Sequence, residues 1–179
     1  MEKRVENKSP PDEIILHTDS YLDLFSDFDP RGFSQKALSD DFLLEIKRAA
    51  YDKEDPIKLR LLIPTNERDL KSEMVIRKRL NEHFKHHNKD SQQEQKNLMK
   101  QGISFILFGV ILMITTTFIL FKIQEKIWII TFLSVLFEPG GWFLFWEGLH
   151  LMIFDSKKQE PNRVFYSKMS QASIIFESY

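Results

Sequence analysis

Hydrophobic and polar positions divide this chain sharply, and the longest uncharged stretch is "GISFILFGVILMITTTFILF" at residues 102–121. About 20 apolar residues, rising 1.5 Å each in a helix, cross a hydrocarbon core of roughly 30 Å. A helix buried in a soluble domain is usually shorter and keeps a polar face. The pattern therefore predicts a first transmembrane helix at 102–123.

A second apolar segment follows the short polar tip at 122–126. Because so short a connection makes its flanking helices antiparallel neighbours, the two segments are predicted to form a hairpin, with the second helix at 126–154. The middle of this helix reads "EPGG" at 138–141. Proline removes a backbone donor and glycine relaxes the helix, so we expect a kink or break there, with 149–154 lying along the membrane surface. A re-entrant segment is the alternative.

Residues 13–87 are typical of a small α+β domain. Apolar and polar residues alternate at 57–63, the period of a half-buried strand, and 13–18 is a second strand candidate. Helical spacing is found at 38–49 and at 67–87. The buried face of the second of these helices is expected to comprise five apolar residues: Leu70, Met74, Ile76, Leu80 and Phe84.

A polar segment at 88–101 precedes the first apolar run. Within it, Ser91 and Glu94 have the spacing of a capping box, in which each side chain accepts a hydrogen bond from the other residue's backbone. We therefore expect a new helix to start near Ser91 and to run into the first span as a stalk.

The last segment, 155–179, has helical and then strand character. If both chain ends lie on one side of the membrane, its strand can join the sheet that contains Leu59 and Leu61. The predicted fold is thus a small α+β domain, a few-stranded sheet with helices, interrupted by an inserted two-helix transmembrane hairpin. Residues 1–12 have no apolar pattern and are expected to be a flexible N-terminus.

Lysine and arginine near the ends of spans set the orientation, since cytoplasmic flanks carry the excess. Basic residues concentrate before the first span and after the second: Lys85, Lys89, Lys96, Lys100, Lys157, Lys158, Arg163 and Lys168. The tip between the spans carries only Lys122 and Lys126. We expect a multi-pass protein of the cell membrane with both termini in the cytosol.

Charge and composition exclude several functions. The 25 basic and 26 acidic residues nearly cancel, which argues against a nucleic-acid partner, and the absence of cysteine removes thiolate chemistry and sulfur-bound zinc. Four carboxylates near Arg31 could hold Mg²⁺ or Ca²⁺, but turn and helix-capping roles explain them better: Asp27, Asp29, Asp40 and Asp41. We predict no cofactor, no metal and no catalytic residue.

Glu138 is the main functional candidate because a carboxylate inside the apolar core costs on the order of 2.5 to 3.5 kcal/mol. A helix places it in one polar stripe with Thr131 and Ser134. It lines a hydrated path between several copies, caps backbone N–H groups at a break formed by Pro139, Gly140 and Gly141, or extends toward the lipid headgroups. Folding the hairpin about Gln124 sets Gly109 level with Pro139, where it would allow close helix contact.

Two further groups are expected at the membrane boundary. The three tryptophans, Trp128, Trp142 and Trp146, are expected in the aromatic belts of the two membrane boundaries. Glu147 and His150 are expected at the inner boundary, at the level of the headgroups. A basic face toward anionic headgroups is expected from Arg77, Lys78, Arg79, His83 and Lys85. The spacing of His83, His86 and His87 also leaves open a metal pair or pH sensing.

The runs "DSYLDLFSDFDPRGFSQKALSDDFLLEIKRA", "IKLRLLIP" and "IRKRLNEHF" resemble an uncharacterised group of short hypothetical membrane proteins from bacteria and archaea. That group also ends in two hydrophobic segments, the second with a cluster comparable to "FEPGGWFLFWEG". The resemblance covers most of the chain and implies the same architecture. It implies no activity.

These patterns favour a non-enzymatic integral membrane protein, anchored by the hairpin, that acts through self-assembly or through an unidentified protein partner. The bilayer and further copies of the chain are its expected partners. An oligomeric ion-conducting or proton-linked pore using Glu138 is the first alternative. The second is an interfacial enzyme acting on lipid through Trp142, Trp146 and His150.

Overall fold

The computed structural model describes residues 13–122 and 128–179, which form two compact units. The sheet unit comprises 13–89 and 162–179, and the hairpin unit comprises 90–161 without 123–127. The predicted flexible N-terminus at 1–12 and the tip residues at 123–127 lie outside the described residues.

Most described residues are helical. The strands are β1 (Glu13–His17), β2 (Lys58–Ile63) and β3 (Ser173–Ser178), and the α-helices are α1 (Asp40–Ala49), α2 (Leu70–Lys122), α3 (Trp128–His150) and α4 (Ser156–Gln171). Two short 3₁₀ turns lie at Tyr21–Leu24 and Thr65–Glu67, and a π-helical turn lies at Leu151–Asp155.

The three strands form one parallel sheet in the order β1-β2-β3. Leu59 pairs with Ile14 on one side and Ile174 on the other, and Leu61 pairs with Phe176. The last strand therefore joins Leu59 and Leu61, as the sequence predicts. A parallel neighbour needs a long crossover connection, which the helices between β2 and β3 supply.

One face of the sheet carries the core of the sheet unit. Leu59, Leu61 and Ile63 of the central strand are fully buried. Helices α1, α2 and α4 contribute seven further buried side chains to this core: Phe42, Ile46, Ile76, Leu80, Phe84, Phe165 and Met169. Within each helix these residues are four apart, the spacing of an amphipathic helix that covers an apolar surface.

The predicted buried face of α2 is wrong at its start. Leu70 and Met74 are 71% and 64% exposed, whereas Glu73 is buried. Glu73 lies one turn before Ile76, so it occupies the core-facing position that the apolar pattern assigned to Met74. The burial of this carboxylate depends on the partners described below.

The predicted new helix at Ser91 is also wrong, because α2 continues for 53 residues from Leu70 to Lys122. Residues 88–101 contain no glycine or proline and are mostly good helix formers, so nothing local ends the helix there. The stalk is instead the middle part of α2.

Candidate functional site

The two apolar helices carry buried residues at intervals of seven. The buried positions are Gly102, Gly109 and Thr116 in the apolar part of α2, and Ser134, Gly141 and Gly148 in α3. A spacing of seven keeps residues on one helix face, as in a coiled coil, and all six are small. We call these six residues the small-residue seam.

The glycines of the seam bring the two backbones into direct contact. A Cβ built on Gly109 would lie 2.7 Å from the carbonyl oxygen of Gly141 and 2.9 Å from the backbone nitrogen of Phe145. One built on Gly148 would lie 2.6 Å from the carbonyl oxygen of Gly102. Gly109 therefore lies at the helix contact, but opposite Gly141, two residues beyond the expected Pro139.

The hydroxyl groups of the seam are satisfied inside their own helices. Thr116 donates to the carbonyl of Leu112 at 2.9 Å, and Ser134 donates to the carbonyl of Ile130 at 2.8 Å. Such bonds to the preceding turn let a hydroxyl be buried between helices. Ser134 thus belongs to the helix contact and not to an open polar stripe with Glu138.

Glu138 and Thr131 lie on the outer surface of the hairpin unit, where both are exposed. Helix α3 continues through Pro139 to His150, so the helix does not end at 138–141 as the break predicted. Contact with α2 through Gly141 holds the helix where proline alone would weaken it. This continuity removes the capping role proposed for Glu138, because a continuous helix has no free N–H groups at 138–141.

The expected boundary residues lie on α3. Trp128 begins the helix, Trp142 and Trp146 are half to two-thirds exposed, Glu147 is half-buried, and His150 is exposed. The segment at 149–154 is not a separate piece, because the chain passes through the π-helical turn directly into α4.

Past the apolar part, the two helical segments of the hairpin unit remain paired by polar side chains. Gln159 donates to Glu94 at 2.9 Å, and Gln95 lies 3.5 Å from the hydroxyl of Ser156. The Glu94 carboxylate therefore serves this pairing instead of a capping box with Ser91.

The five expected basic residues do not share one face. Arg77, Lys78 and Lys85 are exposed, but Arg79 donates to the backbone carbonyl of Lys36 at 3.1 Å. His83 is partly buried in the sheet unit, and its Nε2 is buried without a hydrogen-bond partner in the described part of the chain. The five residues therefore do not form a single basic face toward the headgroups.

The histidines form a cluster with Tyr166. The rings of His83 and His87 lie 4.3 Å apart, and His87 stacks on Tyr166 at 5.1 Å. Burial, with smaller effects from His87 and Arg79, lowers the pKa of His83 to about 4. Because the folded state binds its proton less tightly than the unfolded chain does, His83 opposes folding increasingly as the pH falls below about 6.5.

Sequence reasoning missed a buried ion pair in the sheet unit. Arg68 donates to both oxygens of Glu73, at 2.8 and 3.0 Å, and the Tyr21 hydroxyl donates to Glu73 at 3.0 Å. The hydrogen bond from Arg68 lowers the pKa of Glu73, while burial raises the pKa of Tyr21. The only signal in the sequence is the position of Glu73, one turn before Ile76 on the buried face.

Phe28 is the second feature that was missed, since it is 97% exposed. The turn that presents it is held by Asp29, whose carboxylate accepts from Arg31 and, at 2.7 Å, from the backbone of Ala37. Arg31 keeps the pKa of Asp29 well below its usual range. Three exposed carboxylates lie with Phe28 around one surface depression, and the Phe28 ring projects beside them. We call these four residues the acidic knob: Asp27, Phe28, Asp40 and Asp41.

A groove of opposite charge lies along the exposed face of α2. It has a volume of about 410 Å³, and we call it the basic groove: Met74, Arg77, Lys78, Asn81, Glu82 and Lys85. Lys78 is 3.8 Å from Glu82, which leaves Arg77 and Lys85 to set its charge. Met74 supplies an exposed apolar side chain at one end of the groove.

No family model, curated protein or solved structure matches this chain. The resemblance to short membrane proteins therefore stays a prediction, and function has to be argued from the geometry of the chain itself.

Proposed function

We propose that this chain is a non-enzymatic integral membrane protein whose α+β domain faces the cytosol and acts through self-assembly. The observation that carries the proposal is the inverted packing of the hairpin unit. Its helix contact is made of glycine, serine and threonine, while its outer surface exposes large apolar residues such as Ile111, Phe118, Phe132 and Trp142. Lipid is the solvent for which this arrangement is stable.

Both α2 and the helical stretch that begins at Trp128 are long and apolar enough to cross a membrane. The paired strands β2 and β3 precede and follow this hairpin in the sequence. A hairpin inserted in this way returns the chain to the side from which it left. Both termini then share the cytosolic compartment, in agreement with the distribution of lysine and arginine.

Self-assembly is supported by the complementarity of the acidic knob and the basic groove. The knob offers one projecting aromatic ring among three carboxylates, and the groove offers the exposed Met74 at one end with Arg77 and Lys85 further along α2. Burying a phenylalanine contributes about 1.5 to 3 kcal/mol, and a nearby arginine adds to it through the ring face. The turn held by Asp29 keeps Phe28 preorganised, which lowers the entropic cost of docking.

Knob and groove are different surfaces, so the contact between copies is heterologous. Copies anchored in one membrane share one orientation, and a repeated heterologous contact closes into a ring about an axis normal to the membrane when the rotation per copy divides a full turn. We propose a second copy of this chain as the occupant of the groove.

The absence of cysteine allows a direct test of this contact. Single-cysteine variants Asp27→Cys and Lys78→Cys, which keep Phe28 and Met74, are mixed in detergent micelles and treated with a short bismaleimide. We expect a crosslinked dimer from the mixture and none from either variant alone. Asp52→Cys, an exposed carboxylate outside the acidic knob, replaces Asp27→Cys in the matched control mixture and is expected not to crosslink.

The two parts of this proposal can be overturned separately. An Asp27→Cys variant that crosslinks to itself, or a mixture that never crosslinks, contradicts assembly through the knob and groove. Protein that stays dispersed in buffer without detergent contradicts the membrane anchor.

A pore is the second candidate, and the exposure of Glu138 on the outer surface favours it. Glu138 lies ten residues after Trp128, or about 15 Å along α3, near the middle of a core of roughly 30 Å. A single hairpin leaves this carboxylate facing lipid, whereas a ring of copies encloses it.

If the ring conducts ions, Glu138→Gln is expected to reduce ion flux through reconstituted vesicles at least tenfold without changing the mass of the assembly. The physical reason is the loss of the charge that attracts cations into the path. Glu138→Asp keeps the carboxylate and is expected to keep most of the flux. Wild-type protein that shows no flux, or flux that is unchanged in Glu138→Gln, rules out this role.

A further inference from the structure

A groove on the hairpin unit combines aromatic rings with a carboxylate, that of Glu147. It has a volume of about 340 Å³, and we call it the interfacial groove: Phe143, Trp146, Glu147, Leu149, His150, Ile153 and Phe154. Phe143, Trp146 and Phe154 are each more than 60% exposed. Of the two tryptophans expected at the inner membrane boundary, Trp146 lines this groove and Trp142 does not.

The π-helical turn at Leu151–Asp155 builds the outer end of the groove. In an α-helix, residues five apart point about 140° away from each other, but a π-turn brings them to the same side. The Nδ1 atom of His150 accordingly lies 3.9 Å from the carboxylate of Asp155, and the His150 ring stacks on Phe154 at 5.4 Å. Turns of this kind are rare in proteins as a whole, and those that occur are often found at functional sites.

Carboxylates determine which ligand this groove prefers. Glu147 lines it, and Asp155 stands at its end beside His150. Anionic oxygens next to exposed aromatic faces are the surroundings that bind an ammonium group, through ion pairing and through the ring faces. An isolated phosphate would be repelled by the same carboxylates.

The groove also lies at the depth where lipid headgroups are found. Its Glu147 adjoins Gly148, which contacts Gly102 at the start of the long apolar run of α2. The apolar part of the hairpin therefore ends at the level of Glu147. The groove continues outward from that level to Phe154.

We propose that the interfacial groove binds the ammonium group of a membrane lipid headgroup, as in phosphatidylethanolamine, between the Glu147 carboxylate and the ring of Trp146. This inference rests on the proposed insertion of the hairpin into a membrane. It gives the hairpin a selective lipid contact in addition to its role as an anchor.

The test uses the full-length protein with Trp128→Phe and Trp142→Phe, which leaves Trp146 as the sole tryptophan of the three. The protein is reconstituted in phosphatidylglycerol vesicles that contain either phosphatidylethanolamine or phosphatidylglycerol with brominated acyl chains, at equal mole fraction. Bromine quenches nearby tryptophan. We expect phosphatidylethanolamine to be enriched about twofold to fivefold at Trp146, the ratio that one exposed ammonium-aromatic contact provides.

Glu147→Gln preserves the shape of the side chain and is expected to bring this enrichment close to one. Glu138→Gln, on the same helix but outside the groove, is the matched control and is expected to keep it. A companion protein that retains only Trp128, at the opposite end of α3, is expected to show no preference between the lipids.

Equal quenching by both brominated lipids in the parent protein overturns the headgroup site and leaves the membrane anchor intact. An enrichment that survives Glu147→Gln also overturns it, because the carboxylate would then play no part. If neither lipid quenches Trp146, the hairpin is not in the bilayer and the proposed function itself fails.

Discussion

Gly109→Ala is expected to destabilise the hairpin by about 2 to 3 kcal/mol, whereas Gly140→Ala is expected to stabilise it by up to about 1 kcal/mol. The two substitutions add the same methyl group to neighbouring levels of one hairpin. At Gly109 the new Cβ would lie 2.7 Å from a carbonyl oxygen and 2.9 Å from a backbone nitrogen of α3. At Gly140 its nearest neighbour is a leucine methyl at an ordinary 3.8 Å.

Backbone atoms of the partner helix cannot rotate away as a side chain does, so Gly109→Ala forces the helices apart along the whole seam. The neighbouring Gly102 and Gly148 contact, at 2.6 to 2.8 Å between a built Cβ and a carbonyl oxygen, is then weakened too. At Gly140 only the intrinsic preference of alanine for the helix remains, and it favours the folded state.

The measurement is unfolding of the purified protein in mixed micelles with increasing sodium dodecyl sulfate, followed by the fluorescence of the α3 tryptophans. The midpoint should fall for Gly109→Ala and rise or stay constant for Gly140→Ala. Equal effects of the two substitutions would show that the seam is not the contact between the helices.

The hairpin illustrates what a single sequence can predict. The length of the apolar run at 102–121 and the shortness of the tip are sufficient for two antiparallel helices, because these follow from hydrophobicity and chain length alone. The register between the two helices cannot be predicted in this way, since it depends on which small residues meet. Folding the chain about Gln124 therefore paired Gly109 with Pro139, and the contacts pair it with Gly141.

Pro139 shows where local propensity misleads. Taken alone, a proline followed by two glycines predicts the end of a helix. In the structure α3 passes through all three residues, because the contact of Gly141 with α2 constrains the helix just beyond the proline. The irregular turn occurs instead at Leu151–Asp155, in a stretch without glycine or proline. Nothing in the local sequence distinguishes a π-turn there from an α-helical one.

The sheet unit was predicted more fully, since alternation at 57–63 and at the C-terminus identified two neighbouring strands. Its polar features were not predicted. A search for apolar periodicity passes over Glu73, because a charged residue counts against a buried position unless its partners are known. Arg68 and Tyr21, which satisfy it, lie 5 and 52 residues away in the sequence.

Glu73→Ala is expected to destabilise the sheet unit by about 3 kcal/mol. The Glu73 side chain is 4% exposed and the Arg68 side chain 29%. Removing one member of a buried pair leaves the other charge without compensation, at a cost of 3 to 5 kcal/mol when both are fully buried, and the partial exposure of Arg68 places this pair at the lower end. The hydroxyl of Tyr21 also loses its acceptor.

Amide hydrogen exchange of the peptide that covers β2, measured by mass spectrometry on the full-length protein in detergent, reports this loss as faster exchange. Glu82→Ala is the matched control, because Glu82 lies on the same helix, is 57% exposed and pairs with Lys78 at 3.8 Å. Its expected effect is below about 0.5 kcal/mol. The double substitution Glu73→Leu with Arg68→Met removes both charges together and is expected to recover most of the protection.

The same pair determines how acid affects the sheet unit. Because Arg68 lowers the pKa of Glu73 in the folded state, the folded chain binds a proton there less tightly than the unfolded chain does. The stabilisation is complete above the unfolded pKa of about 4.3 and is lost as the pH falls through the lower, folded value. Protection of β2 in the wild-type protein should therefore decrease between pH 5 and pH 3 more than in the double variant, which has no carboxylate at this position. A wild-type profile parallel to that of the double variant would show that the ion pair does not contribute to folding.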